Sequence, residues 1–319
     1  MLSRRHIRIK VLQALYGFYR DDNPDMAVSL RSLNRSLERI YELYLYDIST
    51  LIELRNAALE RLELSGKKHI QTDEDLNPNR TFADNKVLKL VSENVQLSNL
   101  LEDKHVSWKE DRDQFKKIFK NIREEDDAYF KYMREAPHDF RSDKKIVKYI
   151  YANYICYNEF LHQHYEDMFI HWADDLDAAQ MMTTKTLKTM DESSDQNHRL
   201  VKLFKDKEDE NFGALLFRKV VANNEKYEKM ISDKTKNWET DRIAIIDILL
   251  MKMVLAELME FSEIPIKVTL NEYIELAKQY STPKSGNFIN GVLDRLVLEL
   301  KESNQIKKRF NRLTQSLPD

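Results

Sequence analysis

Three residue types that shape β-rich and disulfide-bonded proteins are scarce in this chain. Its 319 residues include five glycines, six prolines and one cysteine. Because β-hairpins, glycine-rich phosphate loops and doubly wound sheets need glycine at fixed positions, this scarcity argues against all three. The lone Cys156 excludes an intrachain disulfide and any zinc site built from several cysteines. The long charged and apolar segments that remain between helix-breaking residues predict an all-α protein.

Neither sign of charge dominates, and no long uncharged apolar run is present. The 51 basic residues nearly balance the 54 acidic residues, so any nucleic-acid surface must be local. The longest apolar stretch, residues 243–259, contains Asp247, Lys252 and Glu257, which indicates a buried helix rather than a membrane span. A buried Glu257 would need a hydrogen-bonded partner, such as Lys267 or a backbone amide. The N-terminus lacks the apolar core of a signal peptide, so we expect a cytoplasmic protein with no membrane partner.

Residues 264–300 predict two helices joined by a short connection. Thr269 and Glu272 have the spacing of a capping box at the start of the first helix. Pro283 ends that helix, and Ser285 is the predicted N-cap of the second. The connection directs free N–H groups of a helix start outward beside Lys284. This arrangement attracts anions such as phosphate.

Gly291 interrupts the second of these helices. A glycine inside a helix costs about 1 kcal/mol relative to alanine, so its presence needs a reason. Close approach of another helix and close approach of a ligand would each explain it, and tight helix packing is the commoner reason.

Residues 3–20 predict a further helix, with Ser3 as its N-cap. Cations crowd its first turns, and no acidic residue precedes Asp21. Basic residues are unfavourable at the positive end of a helix dipole. A solvated basic face is one explanation for them, and an external polyanion is the other.

Three segments resemble the NusB family of transcription antitermination factors. They read RRHIRIKVLQALY at 4–16, IPIKVTLNEYIELAK at 264–278 and FINGVLDR at 288–295. The first resembles the family's arginine-rich start, and the other two resemble its C-terminal signature. The resemblance implies a NusB-like helical bundle of two small subdomains, here with an inserted helical region.

The resemblance covers the two ends of the chain and predicts four parts. Residues 1–22 would be the first, basic helix of the NusB-like core, and residues 206–302 would be the remainder of that core. Between them, residues 23–205 would be an inserted helical region, with helical periodicity over 26–64, 83–102, 106–135 and 142–172. Residues 303–319 would form a basic tail, which carries Lys307, Lys308, Arg309 and Arg312.

By the same resemblance, the chain is expected to be a non-enzymatic RNA-binding factor. It would bind single-stranded boxA-type RNA of ribosomal RNA transcripts together with ribosomal protein S10 (NusE), and couple them to RNA polymerase. The expected RNA contacts are Arg4, Arg5, His6, Arg8, Lys10, Gln13, Tyr16, Lys284, Ser285, Asn287 and Phe288. Cations would neutralise phosphates, and Tyr16 and Phe288 would stack on bases. By analogy, Asp247 and Glu257 would face NusE.

One position departs from the family pattern in a way that bears on RNA binding. The family often has an acidic or polar residue where this chain has Lys284. We expect the added cation to strengthen RNA binding and to relax its sequence preference.

Two other functions stay open at this point. One is a protein-interaction scaffold that acts through the inserted region. The other is a metal-dependent helical-bundle enzyme, since Glu159 and His162 share one helical face, with His164, Asp167 and His171 close by in sequence. A di-iron bundle needs a second Glu-x-x-His pair and two further carboxylates, and the sequence has no second pair. We therefore expect no catalytic residue, no metal and no cofactor.

Overall fold

The computed structural model describes residues 1–67, 76–135, 138–235 and 244–306. Within these ranges every regular element is helical, and the predicted all-α fold is confirmed. The helices are α1 (Arg4–Arg20), α2 (Met26–Gly66), α3 (Lys86–Ser92), α4 (Val95–Asp103), α5 (Arg112–Glu125), α6 (Asp127–Arg134), α7 (Phe140–Ile150), α8 (Glu159–Met168), α9 (Trp172–Thr189), α10 (Lys207–Ala222), α11 (Asn224–Thr235), α12 (Ile245–Glu260), α13 (Ile266–Tyr280) and α14 (Ser285–Glu302). One π-helical turn, Tyr151–Ile155, continues α7. The cations predicted for the basic tail, from Lys307 onward, lie outside the described residues.

The chain forms two compact units. The first, called here the inserted unit, comprises Glu38–Leu203 together with Met1. The second, called the core unit, comprises Leu2–Leu37 and Phe204–Asp319. The start of α2 therefore belongs to the core unit, whereas the sequence placed the first boundary after residue 22. The four-part division of the chain stays a prediction.

Helix α12 is the centre of the core unit. It contacts α1, α10, α11, α13 and α14. Each residue from Leu249 to Leu258 is buried, and this includes the charged Lys252 and Glu257. A helix surrounded in this way needs apolar side chains on every face, as its sequence provides. Within the described residues, no helix combines the length and the apolar character that a membrane span requires.

Helix α1 packs closely against α10. A Cβ atom added to Gly213 would lie 2.8 Å from Cγ2 of Ile7, so only glycine allows this approach. Ile7, Val11 and Leu15 are fully buried. Ser3 caps α1 as predicted, since its hydroxyl accepts a hydrogen bond from the His6 N–H at 3.4 Å.

The inserted unit is organised around α2 and an aromatic cluster. The indole N–H of Trp108 donates to Ser49 Oγ at 2.9 Å. The Trp108 ring contacts the rings of Tyr46, Phe115, His164 and Tyr165. These contacts join three helices and the loop before α5 into one core.

Helix caps divide three of the helical segments predicted for this region. Asn94 caps α4, Asp126 caps α6 and Asn158 caps α8, each by accepting a backbone N–H with its side chain. Short polar side chains at these positions end one helix and begin the next. The segments 83–102, 106–135 and 142–172 are therefore each two helices.

Candidate nucleic-acid interface

The three arginines at the start of α1 are each paired with a carboxylate of another helix in the core unit. Arg4 Nε lies 2.7 Å from Asp209 Oδ1, Arg5 Nε lies 2.8 Å from Glu272 Oε2, and Arg8 Nη2 lies 2.7 Å from Glu257 Oε1. These carboxylates offset the unfavourable position of cations at a helix start. Internal acids therefore explain the basic first turns without an external polyanion.

Arg8 and Glu257 form a fully buried pair. A second bond joins Arg8 Nε to Glu257 Oε2 at 2.8 Å. Thr269 Oγ1 donates to Oε1 at 2.9 Å, and the Tyr273 hydroxyl donates to Oε2 at 3.0 Å. Burial is the largest single influence and acts to lower the pKa of Arg8, but the hydrogen bonds to Glu257 and the charges of Glu257, Tyr273 and Glu272 together raise that pKa. The partner that a buried Glu257 needs is thus supplied by Arg8, together with Thr269 and Tyr273.

The burial of Arg8 and Glu257 bears on the RNA contact predicted for Arg8 and the NusE contact predicted for Glu257. Arg8 is 2% exposed and Glu257 is 0% exposed, so neither side chain lies at the surface. A contact of Arg8 with RNA, or of Glu257 with NusE, would require the pair to separate. We therefore treat both residues as positioning residues that hold α1 to α12.

The capping box predicted at Thr269 and Glu272 is absent. Helix α13 begins earlier, at Ile266, and has no side-chain cap. The Thr269 hydroxyl is bound to Glu257, and Glu272 is bound to Arg5. The prediction was wrong because both side chains serve contacts between helices rather than a helix start.

The other predicted contacts on α1 differ in accessibility. His6 and Lys10 are buried. Arg5 has a half-exposed side chain, Tyr16 is exposed and Gln13 is partly exposed. The hydrogen bonds with Glu272 raise the pKa of Arg5, and the same bonds lower the pKa of Glu272.

Ser285 and Asp247 meet where α14 begins. Ser285 Oγ donates to Asp247 Oδ2 at 2.8 Å and accepts the Thr282 N–H at 3.2 Å. Ser285 is the first residue of α14 rather than its N-cap, which is Lys284. Both Ser285 and Asp247 are buried, so the structure gives them no direct access to RNA or to NusE. Asp247 instead supplies an internal carboxylate near the start of α14.

A groove of about 380 Å³ follows one face of α14. The described residues that line it are Lys284, Asn287, Phe288, Gly291, Val292 and Arg295. Their spacing of three or four residues places them on one side of the helix. Among the described residues, no atom lies within 4 Å of a Cβ atom added to Gly291, so tight packing within this part of the chain does not explain the glycine. Its missing side chain leaves the middle of the groove open.

The groove has a cation at each end and an aromatic ring between them. In the part of the chain that the structure describes, neither Lys284 nor Arg295 has an ion-pair partner. Phe288 is half-buried. Cations that bind phosphates and a ring that stacks on a base are the usual elements of a single-strand site. The sequence analysis missed Arg295, although the helical spacing from Phe288 was a usable signal.

The paired arginines of α1 and the groove lie toward opposite ends of α12. Arg8 is bound to Glu257 and Ser285 is bound to Asp247. Those two α12 residues are ten positions apart, which corresponds to about 15 Å along a helix. The positions on α12 that hold α1 and the start of α14 are therefore about 15 Å apart along that helix.

The Glu-x-x-His pair of α8 makes other contacts. His162 Nε2 lies 2.7 Å from the carbonyl oxygen of Cys156, and His164 Nδ1 lies 3.6 Å from Asp111 Oδ2. Among the described residues, no three His, Cys, Asp or Glu side chains are grouped as a metal site would require.

Known proteins resemble this chain over part of its length. The family model described as NusB family matches residues 174–298. Transcription antitermination protein NusB of Salinibacter ruber is 42% identical over 113 residues, which is 35% of this chain and 71% of that protein. The proteins of the same name from Chloroherpeton thalassium and Dictyoglomus turgidum are 40% and 42% identical over 93 and 83 residues. These matches cover 29% and 26% of this chain, and 44% and 58% of those proteins. No solved structure matches the chain.

The core unit is an all-α fold built around one apolar central helix, α12, and the neighbouring α14 carries a groove with a cation at each end. The chain belongs to the NusB family, which confirms the resemblance seen in the sequence. The family match begins at residue 174, whereas the sequence analysis placed the return of the family pattern at residue 206.

Proposed function

We propose that this protein is an RNA-binding transcription antitermination factor. It binds boxA-type RNA of ribosomal RNA transcripts together with ribosomal protein S10 (NusE) and couples them to RNA polymerase. Membership of the NusB family supports the general role. The groove on α14 is the observation that supports RNA binding by this chain. The protein acts as a tether, because holding RNA and a protein partner together raises their effective concentration.

Each accessible residue of the groove has a role in the proposed complex. Lys284 and Arg295 bind phosphates at the two ends, and Phe288 stacks on an unpaired base. Asn287, which is exposed, offers its side-chain amide to a base edge. The accessible Arg5, Gln13 and Tyr16 of α1 provide a second patch for the same strand.

A binding titration tests the groove. Fluorescence anisotropy with a short boxA-like RNA compares the wild type with Lys284→Gln/Arg295→Gln over a salt series. We expect at least tenfold weaker binding, and a salt slope shallower by roughly 1.4, since each phosphate contact to a single strand contributes about 0.7. Arg218→Gln/Lys229→Gln is the control, because these exposed cations of the core unit carry the same charge and do not line the groove.

A second variant separates stacking from charge. Phe288→Ala removes the ring and leaves both cations, so we expect roughly tenfold weaker binding with an unchanged salt slope. If the double variant and the wild type bind RNA equally across the salt series, the groove is not the RNA site.

Adding purified NusE should tighten RNA binding by the wild type, and no change would contradict the proposed partnership.

A further inference from the structure

The inserted unit contains a cavity that the proposed function does not use. Its volume is about 310 Å³, and α2, α5, α6 and the segment before α3 line it. Small-ligand sites begin at roughly this size. The cavity lies in the region for which the sequence analysis found no family counterpart.

Three arginines line this cavity, and its described lining contains no carboxylate. Arg61 and Arg134 have no ion-pair partner among the described residues. Arg123 pairs through Nη2 with Glu124, but its Nε is buried and has no hydrogen-bond partner in the described part of the chain. A buried guanidinium N–H without an acceptor is costly, and a bound anion would satisfy it.

Aromatic rings form another part of the lining. Phe82 and Phe119 are stacked with ring centroids 5.5 Å apart, and Tyr129 packs edge-on against Phe82 at 5.5 Å. Burial raises the pKa of Tyr129 to about 12, although the nearby Arg61 and Arg123 act in the opposite direction. The rings and the three arginines line the same cavity, so one small ligand there contacts both kinds of side chain.

We propose that this cavity binds a phosphate-bearing nucleotide unit, as a free nucleotide or as the phosphorylated end of a single-stranded RNA. The guanidinium fork of arginine matches the geometry of a phosphate and binds it through two hydrogen bonds. Aromatic side chains and guanidinium planes both stack on nucleic-acid bases. The two features together select a phosphate joined to a base over a phosphate alone.

Isothermal titration calorimetry of the full chain tests this site. The probes are adenosine monophosphate, uridine monophosphate and inorganic phosphate. We expect at least one mononucleotide to bind several-fold more tightly than inorganic phosphate. Arg61→Gln/Arg134→Gln should weaken that binding at least tenfold, while circular dichroism shows the native helix content, because both side chains are exposed.

The control is Arg112→Gln/Arg141→Gln, since these exposed arginines of the same unit do not line the cavity. This control should bind the mononucleotide like the wild type. Mononucleotides that bind no better than inorganic phosphate would overturn the proposal. Equal mononucleotide affinity of the Arg61→Gln/Arg134→Gln variant and the wild type would also overturn it.

A further comparison separates the two sources of the nucleotide. In a Lys284→Gln/Arg295→Gln background, which lacks the cations of the α14 groove, a terminally phosphorylated RNA is compared with the same RNA without that phosphate. Tighter binding of the phosphorylated strand, reversed by an added Arg61→Gln, supports the RNA end. If a mononucleotide binds but the terminal phosphate does not change RNA affinity, the ligand is a free nucleotide. If no mononucleotide binds and the terminal phosphate has no effect, the site is rejected.

Discussion

Arg8 and Glu257 form a bidentate ion pair inside the core unit, with nitrogen–oxygen distances of 2.8 and 2.7 Å. The pair joins α1 to α12, and Thr269 and Tyr273 of α13 complete the hydrogen bonding of the carboxylate. The cost of removing both charges from water offsets much of their attraction. The pair therefore fixes which turn of α1 faces α12 more than it adds net stability.

Loss of one member of this pair should be far more costly than loss of both. Arg8→Met leaves Glu257 as an unpaired buried charge, and we expect the free energy of unfolding to fall by about 3–5 kcal/mol. Adding Glu257→Gln removes that charge and should restore part of the loss. Urea unfolding of both single variants and the double variant measures the coupling, and strictly additive effects would contradict a direct interaction.

Local signals in the sequence were sufficient for the all-α fold and for the start of α1, but not for the contacts between helices. The Ser3 cap of α1 was visible because it depends on residues within one turn of each other. Glu257 was recognised as a buried acid, yet its partner is 249 positions away in the sequence. Periodicity carries no information about which distant helix will pack against a given side chain.

The α14 groove is a second feature that the sequence alone revealed only in part. Asn287 and Phe288 were predicted from the family resemblance, and Lys284 was singled out as a departure from it, whereas Arg295 was quoted within the family pattern and given no role. Its position at the far end of the groove became clear only when the face of α14 that stays unpacked was known. Thr269 was misassigned for a related reason, since its spacing fits a cap and its actual partner lies on α12.

Substitution by alanine at two glycines of the core unit should change the free energy of unfolding in opposite directions. At Gly213 the new methyl group would meet Ile7 at 2.8 Å, so Gly213→Ala should lower the free energy of unfolding by about 1–3 kcal/mol. At Gly291 the space is open, so Gly291→Ala should raise that free energy by up to about 1 kcal/mol through helix propensity. Chemical denaturation of both variants measures the difference.

The same pair of variants tests why Gly291 is present. A methyl group there would narrow the groove beside Phe288, so we expect Gly291→Ala to weaken RNA binding several-fold while it stabilises the fold. Folded Gly213→Ala should bind RNA like the wild type and serves as the control. Unchanged RNA affinity of Gly291→Ala would show that RNA does not approach this position.

Asp47 should make the stability of the inserted unit depend on pH. Burial raises its pKa from 3.8 to about 6, against hydrogen bonds from Thr183 and Tyr151 that act to lower it. The folded state therefore keeps a proton that the unfolded chain releases between about pH 4 and pH 6. The stability from this group is present below about pH 4 and is lost as the pH rises through about 6.

Asp47→Asn tests this pH dependence. In the wild type, the contribution of Asp47 to the free energy of unfolding should fall by about 3 kcal/mol between about pH 4 and pH 6, because one pKa unit corresponds to about 1.4 kcal/mol. The variant should lack this component, so its free energy of unfolding should fall less than that of the wild type over the same pH range. Urea unfolding from pH 4 to pH 7 measures both proteins, and parallel pH profiles would contradict a raised pKa at Asp47.

Arg5 and Glu272 provide the sharpest test of whether the start of α1 binds RNA. The Arg5 side chain is 47% exposed but forms two hydrogen bonds with Glu272, so an RNA phosphate must compete with that carboxylate. Glu272→Gln removes the competing charge and should tighten RNA binding about two- to fivefold, with a steeper salt slope by roughly 0.7. Arg5→Gln should weaken binding and make the slope shallower by a similar amount.

The control for Glu272→Gln is Glu225→Gln, which removes an exposed carboxylate from α11 and changes the net charge equally. The ion pair is partly exposed, so its loss should change the free energy of unfolding by at most about 1 kcal/mol and leave the fold intact. Fluorescence anisotropy with the boxA-like RNA compares all three variants with the wild type. If Glu272→Gln and Arg5→Gln both bind RNA like the wild type, the arginines of α1 serve packing alone. RNA binding would then rest on the α14 groove.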